Sequence, residues 1–428
     1  MSKKQKLKEQ NSQLKFLTVA MVEEAAERLA AVVEATPLQR HARLSERYGA
    51  EVYVKREDLQ VVRSFKIRGA FNKMVGLADD EKKAGVVCAS AGNHAQGVAM
   101  SCALLQVQGV IFMPELTSRQ KVNKVREFGG EYAEIRLLGT TFDDAYAAAR
   151  AYEAESGAVF VHPFDDPLVM AGQGTVGKEI VDQLEGRADV VISSIGGGGL
   201  LSGVGSYVRS VWPDVQLVGV EPEGAPAMKR SLDVGEVVTL ETIDTFVDGA
   251  AVRRAGEQTM EVLEELGVSV ELIAEGQACM SMIELYQSEG IVVEPAGVLP
   301  VSVLEILKEE IRGKTVVCVI SGGNNDLLRY PDILERSLLY QGRKHYFMIK
   351  FAQKPGELRK LLNEVLGPGD DIVRFEYVKK TNAERGPAFV GLELEKAADL
   401  TGLLERMDES GIDYEKVNAE GMLYRYLV

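Results

Sequence analysis

Arg63-Ser64-Phe65-Lys66-Ile67-Arg68-Gly69-Ala70 sets one lysine between an aromatic residue and a short apolar-periodic run. Phe65, Ile67, Ala70, Phe71 and Met74 fall near helical spacing, and Ser64 is the expected N-cap. Lys66 then lies in the first helical turn, where the helix dipole disfavours an ammonium. Burial against Phe65 and the neighbouring cations Arg63 and Arg68 are expected to lower its pKa further. A lysine tuned in this way forms Schiff bases. The alternative, a solvated helix lysine, stays open on this stretch alone.

Outward from this helix, the chain alternates strand and helix. Residues 21–33 read as an amphipathic helix broken at Pro37, and residues 51–55 as a strand. Residues 1–18 are polar and basic and read as a loose arm. After the Lys66 helix, strands are expected over 85–89, 109–113, 132–137 and 159–161, with helices from the 90–94 turn to 105, over 118–128 and over 142–155. The rhythm continues with helix 168–185, strand 189–195, helix 200–209 and strand 215–220. Helices over 256–266, 276–289 and 298–310 precede a strand over 315–320. This β-α alternation predicts a parallel, doubly wound sheet. Past residue 340 the order becomes β-α-β-β-α-β, with strands 345–351, 372–378, 388–394 and 412–417 and helices 356–366 and 400–409. That order is the ferredoxin-like plan. The domain boundary is placed at 335–344, giving domains 1–340 and 341–428.

Composition narrows the function. The chain has 428 residues, 46% hydrophobic and 26% charged, ordinary for a globular protein of two or three domains. A net charge of −15 argues against nucleic-acid and anionic-membrane partners. Cys88, Cys102, Cys279 and Cys318 form no CxxC pair, and the four histidines form no HExxH motif. This suggests a reducing, cytoplasmic setting without a zinc site. No secretory h-region and no apolar run of transmembrane length is read.

Four loops are the candidates for the chemistry. Gly196-Gly197-Gly198-Gly199, followed by Leu200, lies between a strand and a helix, where consecutive amides turn around an anion, expected to be a phosphate. No G-x-G-x-x-G can be laid on it and no G-K-[ST] follows, against a dinucleotide site and a P-loop. Gly172-Gln173-Gly174-Thr175-Val176-Gly177 matches the dinucleotide letters but follows a helical start rather than a strand, so it is rejected. Ser90-Ala91-Gly92-Asn93-His94 opens a helix and offers amides and a hydroxyl to a carboxylate, with Asn93 suited to a phenolic oxygen. Ordinary helix capping is the equal alternative for Asn93 and His94. Ser321-Gly322-Gly323-Asn324 ends a strand, and Ser321 suits an aromatic nitrogen or a plain Ser-Gly turn. His162-Pro163-Phe164-Asp165 reads as pocket lining or as a loop with a satisfied histidine.

Together, Ser64–Ala70, Ser90–Gly97, the four glycines, His162–Asp165, Ala171–Thr175 and Ser321–Asn324 resemble the fold-type II pyridoxal-phosphate enzymes over about residues 20–330. Within them the chain is similar to the biosynthetic threonine dehydratases (threonine ammonia-lyases), and its last 85 or so residues resemble their ACT-like regulatory domain, present once. The resemblance implies a tryptophan synthase β-like catalytic domain with a smaller subdomain at about 67–172. It implies that Lys66 carries pyridoxal 5′-phosphate, that Gly196–Gly199 and Leu200 hold its phosphate, and that Asn93 and Ser321 meet its phenolic oxygen and ring nitrogen. It places the substrate carboxylate on Ser90, Ala91, Gly92 and His94. Lys66 would then act as base at the threonine Cα, giving 2-oxobutanoate and ammonia. L-Serine is implied as a further substrate, isoleucine as effector, and a homotetramer or dimer as the assembly. A neutral Ser321 suits elimination over transamination. Serine racemase has a serine where this chain has Ala91, which favours the dehydratase. Relatives bind a cation near a Glu-Pro segment, here Glu221-Pro222, but Ala227 stands where a second acid is expected. Catabolic serine/threonine dehydratase, serine racemase, a nicotinamide-dependent dehydrogenase and an amino-acid sensor on an inactive scaffold are the competing readings.

Overall fold

The structure is a computed structural model that describes residues 16–377 and 384–418. Its strands in chain order are β1 (Leu38–Arg40), β2 (Glu51–Arg56), β3 (Val86–Ala89), β4 (Gly109–Met113), β5 (Ala133–Leu137), β6 (Val159–Phe160), β7 (Val190–Ser194), β8 (Gln216–Pro222), β9 (Ser269–Ile273), β10 (Thr315–Ile320), β11 (Lys344–Ala352), β12 (Asp371–Tyr377), β13 (Arg385–Glu393) and β14 (Asp413–Val417). The chain divides into two compact units, Met1–Asp326 and Leu327–Val428.

The first unit holds two sheets. The larger has the order β1-β2-β10-β7-β8-β9, parallel apart from β1. Its central strand β10 is Thr-Val-Val-Cys-Val-Ile, with Val316 to Ile320 fully buried, the continuous apolar run expected of a parallel strand covered on both faces. The smaller sheet, β5-β4-β3-β6, is also parallel.

Strand order places the site before any side chain is considered. In the larger sheet the connections run outward from β7 to β9, then return to insert β10 on the other side of β7. In the smaller sheet they run from β3 to β5, then return to put β6 on the other side of β3. Each reversal leaves a crevice at the carboxyl ends of the strands. The four glycines follow β7 and Ser321 follows β10; Ser90–His94 follows β3 and His162–Asp165 follows β6. All four loops that the sequence singles out therefore sit at switch points.

Glycines set how closely the helices beneath these loops approach. Gly172, Gly174 and Gly177 lie inside the helix Pro167–Gln183. A Cβ on Gly172 would lie 2.5 Å from the Arg68 carbonyl oxygen, and one on Gly69 2.3 Å from Gln173 Nε2. The dinucleotide-like letters are thus a helix-packing face, which accounts for the match without a nucleotide.

Several expectations need correction. The helix after Ser64 begins at Lys66 with Phe65 as its N-cap, and no side chain caps it. Ser64 is instead bridged through its backbone to Gly322, and its buried hydroxyl finds no hydrogen-bond partner among the described residues. The expected helix 298–310 starts earlier, as Pro295–Ser302, because Pro295 is well suited to a first turn. It ends soon after the internal Pro300 and gives way to the short turns Val303–Glu305 and Lys308–Ile311. Strands β1 and β9 and the helices Ala42–Tyr48, Asp79–Ala84, Ala227–Val234 and Tyr330–Tyr340 were not read from the sequence. These are short edge strands and helices of 6 to 11 residues, with too few turns for a clear period. Most of the N-terminal arm, residues 1–15, lies outside the described residues, as does Val378.

In the second unit the sheet order is β12-β13-β11-β14, antiparallel throughout, which is the ferredoxin-like arrangement. Phe347, Ile349, Val390 and Leu392 pack with Leu403 and Met407 of the helix Asp399–Glu409. The expected helix 356–366 is an α-turn Glu357–Lys360 continued by a π-turn Leu361–Val365. The unit begins before the expected boundary because Tyr330–Tyr340 belongs to it, with Glu335 accepting from Tyr346 of β11 at 2.7 Å. Among the described residues, no helix is long and apolar enough to cross a membrane.

Candidate active site

Lys66 is the first residue of its helix, and its Nζ donates to the Pro163 carbonyl oxygen at 2.7 Å. Burial pulls the ammonium down to about 8, against the opposing pull of Glu294. The Phe65 ring centroid is 5.1 Å from Nζ. Arg68 contributes nothing to this shift, because it points to the opposite side and binds Glu57 and Glu179. Arg63 acts through the backbone instead: at φ 57° it is one of two non-glycine residues with positive φ among the described residues. That conformation costs about 1–2 kcal/mol per residue and turns the chain into the Lys66 helix.

The other loops close on Lys66 through short links. The Phe65 N–H donates to the Ser321 carbonyl oxygen at 3.1 Å. The Ser321 hydroxyl accepts from the Ser194 hydroxyl at 3.3 Å, across the carboxyl ends of β7 and β10. Pro163, which holds Lys66, precedes Phe164, whose ring covers Gly197: a Cβ there would meet the ring at 2.2 Å. The Gly197 carbonyl oxygen accepts from Thr259 Oγ1 at 2.5 Å. Asp165 caps the neighbouring helix Glu257–Glu265, accepting from the amides of Glu257, Gln258 and Thr259 at 3.1, 2.9 and 3.1 Å. The glycine loop is therefore clamped from both sides.

The loop fits a phosphate. Gly198 has φ 98°, a region open to glycine, and it caps the helix Gly199–Val211 without a side chain. Gly196, Gly197, Gly199 and Leu200 lie in the same tight turn and first helical residues, where backbone N–H groups lack side-chain acceptors. An anion at a helix N-terminus satisfies such groups. Gly197→Ala is expected to force the Phe164 ring or the loop aside, with about 1–3 kcal/mol of overpacking strain. Thermal melting with and without the cofactor checks this: the stabilisation by cofactor should shrink well below that of the parent, and an equal stabilisation would mean the loop does not hold it.

On the smaller sheet, the Ser90 hydroxyl accepts from the Gly92 N–H at 3.2 Å, shaping the turn that also carries Ala91. Gly92 caps the helix Asn93–Leu105 without a side chain. Neither Asn93 nor His94 caps this helix. Asn93 reaches across to Glu294, donating from Nδ2 at 2.8 and 2.9 Å, while its Oδ1 accepts from Asn324 at 2.8 Å. The His94 ring is buried, with Nε2 on the Val161 carbonyl oxygen at 2.8 Å; burial pushes its pKa down to about 3, so it is neutral. What His94 brings to the turn is its backbone. His162 is a satisfied loop histidine: Nδ1 accepts from the Asp165 amide at 2.8 Å, and burial pushes the ring down to about 4.

Glu221 caps the helix Ala227–Val234, accepting from the Met228 and Lys229 amides at 2.9 and 2.7 Å. Burial lifts its carboxyl to about 7. Among the described residues no group of three or more His, Cys, Asp or Glu is placed to hold a metal ion.

Glu294 is the site residue that sequence reasoning missed. The signal was present: one acid interrupts the apolar run Ile291-Val292-Val293-Glu294-Pro295-Ala296-Gly297-Val298. A charged residue within such a run is buried with a partner or is functional.

Comparison with known proteins identifies the family. Residues 29–322 match the family described as pyridoxal-phosphate dependent enzyme, and residues 335–427 the C-terminal regulatory domain of threonine dehydratase. The chain is 51% identical over 397 residues to the protein named L-threonine dehydratase biosynthetic IlvA of Halalkalibacterium halodurans, covering 93% of this chain and 96% of that one. It is 53% identical over 398 residues to the protein of the same name from Bacillus subtilis, covering 93% and 94%. The processed form of threonine deaminase isoform 2 from Solanum lycopersicum superposes with a TM-score of 0.70 at 36% identity, covering 74% of this chain and 94% of that one. The chain belongs to the fold-type II pyridoxal-phosphate-dependent enzymes, in the family of biosynthetic L-threonine dehydratases with a C-terminal regulatory domain.

Proposed function

We propose that the protein converts L-threonine to 2-oxobutanoate and ammonia, accepts L-serine as a second substrate, and serves the first step of isoleucine synthesis. The observation that carries this reading is Lys66: a buried amine lowered to about 8, hydrogen-bonded to Pro163 after β6 and joined through the Phe65 backbone to Ser321 after β10. Pyridoxal phosphate supplies the electron sink that makes the Cα proton of a bound amino acid acidic. Lys66 Nζ takes that proton. The amides of the Ser90–His94 turn orient the carboxylate at the N-terminus of Asn93–Leu105. Ser321 offers a neutral hydroxyl, which does not place a formal charge beside a ring nitrogen. Ala91 carries no titratable group, which favours elimination over racemisation.

The second unit is assigned isoleucine-dependent feedback, supported by its own core and by its match to a regulatory domain. Assembly into a homo-oligomer, a tetramer or a dimer, is supported by exposed apolar side chains such as Leu116 and Leu327, 80% and 74% exposed. Four free, buried cysteines suit a reducing, cytoplasmic setting.

A panel of L-threonine, L-serine and D-serine scored for 2-oxo acid release tests the activity. L-Threonine should give the highest kcat/KM, and no release from either L-amino acid would overturn the reading. Threonine saturation with and without isoleucine tests the regulation, with valine as control. A coupling of about 1–3 kcal/mol would shift threonine affinity roughly 5–150-fold. Inhibition that survives in a chain ending at residue 326 would place the effector elsewhere, and no response in the full chain would leave the second unit a structural role.

A further inference from the structure

Glu294 is 4% exposed. It precedes the helix Pro295–Ser302, and its backbone N–H donates to the Gly322 carbonyl oxygen at 3.1 Å. A Cβ on Gly322 would lie 2.6 Å from Glu294 Oε1, so only a glycine fits beside the carboxylate there. Both its oxygens accept from Asn93 Nδ2. On the other side, Asn324 Nδ2 donates to Asn93 Oδ1 and to the Val62 carbonyl oxygen, each at 2.8 Å. Asn93 is therefore held at both ends of its amide and cannot flip without losing both partners. An amide nitrogen carries two hydrogens. Glu294 engages one and leaves the other for an acceptor in the cleft.

We propose that Glu294 is a positioning residue for the reaction: its ionised carboxylate fixes the Asn93 amide toward the bound cofactor. This rests on the reading of the site as a pyridoxal-phosphate site. The charged groups that act on Glu294 are Lys66, Asp248 and Lys121, the last two paired at 2.6 Å. Burial lifts the carboxyl to about 7, with Asp248 pushing the same way and Asn93 and Lys121 opposing. Below neutrality Glu294 gains a proton, loses its charge and releases part of its hold on Asn93.

The test compares the parent holoenzyme with Glu294→Gln and Asp248→Asn. It measures kcat and KM against pH, and the pH dependence with which the apo-protein attaches pyridoxal phosphate, read by absorbance. The parent should lose kcat below about pH 7. Glu294→Gln should bind the cofactor, lower kcat about 10–100-fold with a smaller change in KM, and lose that acid limb, because nothing titrates there. Without the Glu294 charge, which opposes burial at Lys66, the attachment midpoint set by Lys66 should fall, by about one pH unit. Asp248→Asn leaves the buried cluster intact; loss of Asp248 and release of Lys121 both favour the ionised carboxyl, so its acid limb should move to lower pH. A Glu294→Gln enzyme with the parent's acid limb and attachment midpoint overturns the proposal, as does an Asp248→Asn enzyme with an unmoved limb should the first variant not fold. A parent that binds no pyridoxal phosphate overturns the site reading itself, and this is seen before any variant is compared.

Discussion

Lys66→Ala is expected to abolish the visible absorption of attached cofactor and to reduce threonine deamination below about 10⁻⁴ of the parent rate. On the proposed reading, two functions fall on one amine: it would be both the attachment point and the base for the Cα proton. Neither can be taken over by a neighbour: Arg68 is committed to Glu57 and Glu179, and the His94 and His162 rings are turned to backbone partners. The fold should survive. A lysine whose pKa is depressed by burial costs stability below its unfolded value, and the penalty is relieved as pH rises from about 8 toward 10.5. Removing the amine lifts that penalty at neutral pH, against the cavity left by the side chain. The check is absorbance, borohydride reduction and 2-oxo acid release on the same preparation, with thermal melting as control. A variant that remains coloured, with reducible and covalently attached cofactor, would show that another residue carries it. In the parent, attachment to the apo-protein should quicken as pH rises through about 8.

How much of this was legible beforehand differs by residue. The doubly wound plan was readable because β7, β8 and β10 are apolar runs bounded by glycine or polar turns, and each chemical motif sits at a strand's carboxyl end. The glycine loop was readable because four successive glycines exceed what a turn requires. The partners of Asn93 were not. They come from Glu294 and Asn324, 201 and 231 residues away, and no local pattern encodes such a contact. The cause of the lysine's shift was read only in part: burial lowers it as expected, but Arg63 and Arg68 are not among its causes. Ser64 is occupied by its bridge to Gly322, so its hydroxyl does not cap the helix. Arg68 was taken as a neighbour of Lys66 from its place in the chain, although residues two apart on a helix face nearly opposite ways. Helical geometry alone would have assigned Arg68 to another task.

That task supports the second large effect. Arg68→Ala is expected to destabilise the first unit by about 3–5 kcal/mol. The guanidinium is fully buried, with Nε and Nη2 on Glu57, each at 2.8 Å, and Nη1 and Nη2 on Glu179 at 2.6 and 3.0 Å. Nη1 also donates to Thr175 Oγ1 at 3.0 Å. Lys55, equally buried, donates to Glu179 at 2.6 Å and to the Thr36 carbonyl oxygen at 2.5 Å. Two cations and two carboxylates thus balance in a largely buried cluster, with Glu179 alone partly exposed, tying the Lys66 helix and β2 to Pro167–Gln183. Truncating Arg68 leaves Lys55 alone against both acids and strands Glu57, which is itself fully buried. The pH dependence separates a stranded charge from lost packing. In the parent, burial works against Glu57, but Arg68, with Lys55 and the Thr36 hydroxyl, outweighs it and holds the carboxyl below its usual value, so its contribution is present above that usual value and is lost as pH falls through the folded one. Without Arg68, burial dominates and the carboxyl rises, so the variant recovers stability as pH falls and Glu57 takes up a proton. Urea unfolding at pH 8 and pH 5.5 should therefore give a larger difference between parent and variant at pH 8. Arg68→Lys, which keeps a charge but not the two-pronged geometry, should fall between them. A loss of equal size at both pH values would mean that the arginine stabilises through its packing and that the buried charges are incidental.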